Sequence, residues 1–362
     1  MNSQNSVRYD WIDVSKAIGI LFIYFGHWLT TSGNLAVFAY SFHLQLFFIV
    51  SGFFAVKQQN KKVVSFIQNQ VNKLIIPFLF FVFINIVYFN LDGTRTLKEI
   101  VASFVSNFTD FSKSVSPELW FLPALFCISV IYYFLLKLSK SKILVFILAA
   151  TLYVINKAYR DTVIGFVLIP FINFMGISAV PEYLFFYSMG ALVFPYISLA
   201  ANKLSNEEEV KFKRNLYVIC SILFVFTILI YLKKPDMFIL YFYKYTGIST
   251  ALTDSIIRLI LTIVICSTVF FISYLFRNSK FMLNIGRNTI ILLGLEFMVK
   301  DFLVLNLIPM FNFGIITLNS TVQVVTISML MIIAVMPLFK PLNQHLPFLL
   351  GMRNKQVNKT SA

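Results

Sequence analysis

Continuous apolar runs of about 20 residues recur along this chain with almost no charge inside them, and nothing else in the sequence restricts its folding so strongly. Wound as an α-helix, a run of that length crosses the hydrocarbon of a bilayer. Hydrophobic residues are 59% of the 362 and charged residues 12%. A soluble domain carries about 25% charged residues, so too little polar surface remains to face water. The runs do not alternate with a period of two, which excludes a transmembrane β-barrel. The expected fold class is an all-α polytopic membrane protein. Cys127, Cys220 and Cys266 lie far apart in apolar stretches without a CxxC spacing, so they read as small buried hydrophobes.

Ten spans are expected, at about 14–31, 36–56, 74–91, 118–136, 143–157, 180–197, 216–232, 251–276, 288–307 and 317–339. The apolar stretch 162–178 is broken by Gly165, Pro170 and Gly176 and is read as a re-entrant or interfacial piece. Residues 1–340 form the expected membrane domain and 341–362 a cytoplasmic tail. The N-terminus lacks a signal peptide's basic start and small-residue cleavage site, so the first run is expected to be an uncleaved anchor. With the N-terminus inside, inner segments hold 20 Lys and Arg against 8 in outer ones, which predicts both termini in the cytoplasm. The +15 net charge is thereby explained without nucleic acid. The outer loop 92–117 is polar and suited to a short amphipathic helix.

Ionisable groups inside apolar spans cost about 2.5–3.5 kcal/mol each at mid-bilayer, so they are functional candidates by default. Here they are His27, His43, Glu118, Glu182, Asp254, Arg258, Glu296, Lys300 and Asp301. Asp254 and Arg258, at i,i+4, are expected to neutralise each other. Lys16 and His27 are eleven residues apart, which puts them on one helix stripe about 16 Å apart along the axis, with Asp13 close to that stripe. His43 enters from the outer side on the second run, at a depth similar to His27, because the loop at 31–34 is tight. Two imidazoles at one depth suit proton transfer near neutral pH, as general base or as a conduction relay.

The segments Asp13-Val-Ser-Lys16, Gly26-His27, Ser41-Phe-His43 through Ser51-Gly52, Lys73-Leu-Ile-Ile-Pro77, Leu119-Trp120-Phe-Leu-Pro123 and Gly286-Arg-Asn288-Thr289 stand in an order that resembles the acyltransferase-three family of membrane-bound O-acyltransferases. Within it the chain is most similar to fucose O-acetylase-like bacterial sugar acetyltransferases. The resemblance implies an O-acetyltransferase of the bacterial cytoplasmic membrane. It would use cytoplasmic acetyl-CoA as donor and a surface glycan or its lipid-linked precursor as acceptor, without a metal. It implies that His27 is the essential first-helix histidine; His43 joins it as a catalytic candidate on its matching depth. Lys16 stands where many members have arginine, and Lys73 matches the second member of a basic pair thought to hold the coenzyme. Gln70 occupies that pair's first position, and Lys61 or Lys62 is a candidate replacement. Glu296 falls where relatives often carry histidine, and Trp120 matches as a motif residue with packing as an equal explanation.

Other classes are a proton-coupled transporter or flippase, and a polysaccharide polymerase or ligase. The first is expected to show an internal repeat, which is not apparent. The second is expected to expose a large arginine-rich outer loop, whereas 92–117 carries one arginine, Arg95. The charge count yields a direct test. Single cysteines at Lys62 and Thr109, in a background without the native cysteines, should differ in labelling of intact cells by an impermeant maleimide: Thr109→Cys reacts and Lys62→Cys does not.

Overall fold

The computed structural model describes residues 9–28, 34–55, 58, 60–91, 93, 95–159, 174–203, 210–212, 214–215, 218–219, 222–223, 225–226, 250–303 and 321–352. In chain order the helices are α1 (Asp10–Gly26), α2 (Asn34–Tyr40), α3 (His43–Phe53), α4 (Val63–Gln70), α5 (Ile76–Tyr88), α6 (Leu97–Thr109), α7 (Phe121–Ser139), α8 (Lys142–Tyr159), α9 (Val180–Lys203), α10 (Thr250–Leu275), α11 (Lys280–Arg287), α12 (Thr289–Asp301) and α13 (Thr321–His345). No strand occurs among the described residues. Six helical stretches there are long and apolar enough to cross a membrane, or seven if α11 and α12 count as one interrupted span. The expected spans at 14–31 and 143–157 correspond to α1, of 17 residues, and α8, of 18. Most of the expected run 216–232, and residues 162–173 of the re-entrant piece, lie outside the described residues.

The chain divides into two compact units, residues 1–47 with 198–289 and residues 48–197 with 290–362. In the first unit α1 packs along α10 and α11. Trp11 meets Phe270 edge-on, with ring centroids 5.8 Å apart. The run expected to be one helix at 36–56 is broken at Ser41 and Phe42 into α2 and α3. A break inside hydrocarbon frees backbone carbonyls that no water can satisfy. The Ser41 carbonyl is taken up by the Thr262 hydroxyl of α10 at 2.7 Å. Asp254 and Arg258 pair as their spacing predicts, with Arg258 Nε at 2.7 and 2.9 Å from the two carboxylate oxygens.

In the second unit α3 and α9 cross with their backbones in contact. A Cβ on Gly52 would collide with the Tyr187 carbonyl, and one on Gly190 with the Ile49 carbonyl. Small residues permit such crossings where no hydrophobic force separates helix from lipid. Around the crossing Phe48 stacks on Tyr183 at 4.4 Å and Phe53 on Phe194 at 4.9 Å. Between α4 and α5 the backbone widens into a π-turn, Val71–Ile75. Pro77 is the reason: it has no N–H to give the fourth carbonyl back, and its ring crowds that carbonyl, so the turn opens. Asn85 Nδ2 donates to the Gly294 carbonyl at 3.0 Å, and Tyr88 donates to Asp301 Oδ2 at 3.1 Å, tying α5 to α12. Lys157 pairs with Glu182 at 2.8 Å, so that intramembrane carboxylate is neutralised.

The helix expected in the loop 92–117 is α6. Its capping box is complete, with Glu99 N–H donating to Thr96 Oγ1 and the Thr96 N–H to Glu99 Oε2. The Thr96 backbone N–H, seconded by its hydroxyl, holds the Glu99 carboxyl below the usual range.

The crossing of α3 and α9 is open to mutation. Gly52→Ala and Gly190→Ala each force two backbones apart, and overpacking of this kind costs about 1–3 kcal/mol or more. Gly93→Ala meets no atom of the described residues within 4 Å and bears its positive φ of 66°, about 1–2 kcal/mol. Thermal unfolding in detergent should rank Gly93→Ala clearly above the other two.

Candidate active site

The site is built on α1. This helix has 17 residues, so its ends lie about 25 Å apart, close to the thickness of bilayer hydrocarbon. Acidic residues Asp10 and Asp13 occupy its first turns, where the positive end of the helix dipole favours them. Asp13 is buried, with 5% of its surface exposed. Lys16 Nζ lies 2.7 Å from Asp13 Oδ1. Arg287 Nε approaches Asp13 Oδ2 at 3.6 Å, and its Nη2 donates to Asp10 Oδ1 at 3.2 Å. Two carboxylates and two cations thus form a balanced quartet. Gly286 makes this possible, because any Cβ there would strike the Asp13 carbonyl. The two motif segments, Asp13-Val-Ser-Lys16 and Gly286-Arg287-Asn288, are therefore one structural object.

His27 stands at the other end of α1. The helix closes at Gly26, earlier than the expected limit of 31, and His27 caps it with its backbone N–H on the Ile23 carbonyl at 3.0 Å. The cap keeps near-helical dihedrals, φ −72° and ψ 4°, so the stripe expected to join Lys16 to His27 extends to it. His43 is the first residue of α3 and is 1% exposed. Its Nδ1 lies 2.5 Å from the Ala39 carbonyl. A carbonyl only accepts, so Nδ1 carries the hydrogen and the neutral ring keeps its lone pair on Nε2.

Tyr40 lies between the two histidines. Its ring centroid is 6.4 Å from that of His27 and 5.1 Å from that of His43. The structure thus brings His27 and His43 to one aromatic neighbour, as their similar depth leads one to expect. Tyr40 was not singled out by sequence reasoning; its place three residues before His43, on the same helical turn, is the signal that identifies it. Arg287 was noted only as part of a motif. The two acids opening α1 signal that a cation must meet them.

The remaining candidates fall in the second unit. Lys73 is exposed on the π-turn. Gln70, at the first position of the expected basic pair, is buried and donates to Gln58 Oε1 at 2.9 Å, a packing role. Lys61 gives its carbonyl to the Tyr133 hydroxyl at 2.6 Å, while Lys62 precedes α4 and is exposed. Trp120 ends a 3₁₀ turn, Pro117–Trp120, with its ring 6.0 Å from Tyr183, which suits packing. Glu296 is 2% exposed on α12, within electrostatic reach of Glu118 and Lys300. Among the described residues no group of three or more His, Cys, Asp or Glu is placed to hold a metal ion.

With this geometry in hand, comparison with known families gives one result. The profile of the Acyltransferase domain of the acyltransferase-three family matches residues 9–340. The chain belongs to that family. It is a multi-pass membrane protein of an acyltransferase class. The matched region holds both ends of α1, α11 and all the candidate residues above. Comparison with curated proteins finds no match, and comparison with solved structures finds none.

The quartet is testable as a coupled unit. Asp13→Asn and Arg287→Gln should each destabilise the protein, and the double variant should lose less than their sum. Arg287 is 37% exposed, so screening limits the expected coupling to about 1 kcal/mol, read from a double-mutant cycle on thermal unfolding.

Proposed function

We propose that this chain is a membrane-bound O-acetyltransferase. It would move an acetyl group from cytoplasmic acetyl-CoA to a hydroxyl of a bacterial cell-surface glycan or its lipid-linked precursor. Ten spans with both termini in the cytoplasm, in the bacterial inner membrane, complete the reading. The observation that carries it is the family match over 9–340 on a chain whose first helix ends in His27, next to Tyr40 and His43.

In this reading His27 takes the proton from the acceptor hydroxyl as that oxygen bonds to the thioester carbonyl carbon. The carbon–sulfur bond then breaks, and the departing thiolate receives the proton back from the imidazolium. General-base assistance of this kind is worth about 10²–10⁴-fold. His43, with its Nδ1 hydrogen fixed by Ala39, offers Nε2 as a second acceptor on the same wall. Donor binding needs cations for the coenzyme's phosphates. Lys73 is exposed and suited to that role. Lys16 is engaged by Asp13, so its contribution would come through the quartet and not as a solitary charge.

The charge count places His27 and His43 toward the outer side and the basic segments inside, which favours an acceptor reached from the extracytoplasmic face. Mass spectrometry of the surface glycan should show base-labile acetyl esters in cells with the wild-type chain. Those esters should fall by more than about 100-fold with His27→Ala at unchanged membrane level. Undiminished ester in the variant would remove His27 from the chemistry. In cells blocked in flipping the lipid-linked unit, acetylation of the cytoplasm-facing unit would overturn the assigned side.

A further inference from the structure

Within the second unit a cleft of about 730 Å³ opens over the ends of α5 and α12, walled by α6. Its size falls in the range of about 300–1,000 Å³ typical of small-molecule sites. Phe89 and Phe297 make an apolar floor, their ring centroids 5.6 Å apart and tilted by 55°. Around it stand polar groups of both kinds: Arg95, Ser103, Lys113 and Asp301.

Several of the lining groups are already committed to the protein. Glu99 caps its own helix, and Lys113 pairs with Asp110 at 2.9 Å. Three groups have capacity left over. The Ser103 hydroxyl is buried and has no hydrogen-bond partner among the described residues. Among the described residues Asp301 receives one hydrogen bond, from Tyr88 to Oδ2, which leaves Oδ1. Arg95 is exposed on the rim and forms no hydrogen bond or ion pair with the described residues, though its charge reaches Glu99.

A hydroxyl, a half-used carboxylate and a guanidinium, set beside aromatic faces, recognise a particular chemistry. The charges of the lining cancel, with two cations against two carboxylates, so a polyanion such as a coenzyme gains little there. The polar rim is wrong for an acyl chain. A sugar ring suits both parts, since its C–H face packs on an aromatic ring while its hydroxyl edge gives and takes hydrogen bonds.

We propose that this cleft is where the acceptor glycan docks, with Asp301, Ser103 and Arg95 holding its hydroxyls over Phe89 and Phe297. The assignment rests on the glycan acetyltransferase reading and adds the place of binding. By the charge count the loop 92–117 faces outward, so the cleft would be filled from the extracytoplasmic side.

The test uses membrane vesicles bearing the full chain, labelled acetyl-CoA, and surface glycan purified from the producing cells and stripped of esters by mild base. A parallel arm uses the lipid-extracted oligosaccharide, which separates the finished polymer from its precursor as the docked species. Ala102 is exposed on the cleft-facing side of α6, and Ala102→Trp fills the space without entering the core. Arg95→Ala removes an exposed group that bonds to none of the described residues, so the fold is expected to persist. For both variants, and for Asp301→Asn, the acceptor concentration giving half-maximal rate should rise by about tenfold, the scale of one charge-assisted hydrogen bond. Half-saturation by acetyl-CoA should stay within about twofold, a shift of less than 0.5 kcal/mol in the donor's apparent affinity. Lys98→Ala, exposed on α6 outside the cleft, should leave both at wild-type values. If wild-type vesicles acetylate the glycan and all three cleft variants keep wild-type acceptor dependence, the cleft assignment is wrong while the function stands. If wild-type vesicles transfer no acetyl group to either glycan, the functional reading itself fails, and the docking assignment falls with it.

Discussion

A backbone carbonyl released inside hydrocarbon has nothing to bind but protein, and two irregular places in this chain show how such a group is accommodated. At Ser41 and Phe42 the second apolar run breaks, and Thr262 reaches across from α10 to take the Ser41 carbonyl. At Val71–Ile75 the backbone widens instead of breaking, and the Ile76 N–H reaches back to the Val71 carbonyl across the wider ring. Breaks of this kind are tolerated only where another helix supplies a donor or a closed turn supplies itself. That requirement puts Tyr40 and His43 where they are. His43 starts a helix because the chain has just been interrupted, and its Nδ1 takes the Ala39 carbonyl in the turn before it.

Much of the fold is legible in the residues alone, because apolar length is a direct physical constraint. The runs at 118–136 and 251–276 overlap α7 and α10 with boundaries shifted by at most about three residues, and the described part of 317–339 lies in α13, which continues to His345. The Asp254–Arg258 pair is legible because i,i+4 spacing is local. The interruption at Ser41 is not, since neither Ser nor Phe breaks a helix by itself and the compensating hydroxyl is 221 residues away. The same holds for Lys157 with Glu182 and for Arg287 with Asp13: sequence marks each charge as costly but cannot name its partner.

For the site, His27 and His43 are found by depth and spacing, while their common neighbour Tyr40 emerges only from the folded arrangement. Lys16 gains a partner that the sequence does not name: in the fold it pairs with the buried Asp13 carboxylate. Within the quartet Asp10 and Asp13 offset Lys16 and Arg287. The family match covers these residues together, and Gly286 is what lets their two segments meet.

The dimensions of α1 have a consequence for any donor bound at the charged end. Lys16 and His27 are separated by about 16 Å along a rigid rod, and the helix gives no freedom to shorten that distance. A donor held at that end by any part of its structure must supply the missing reach from its own covalent length. Selection among thioesters would then act as a ruler. A molecule with the right reactive group on too short a tether could be captured at one end and still never present that group at the other.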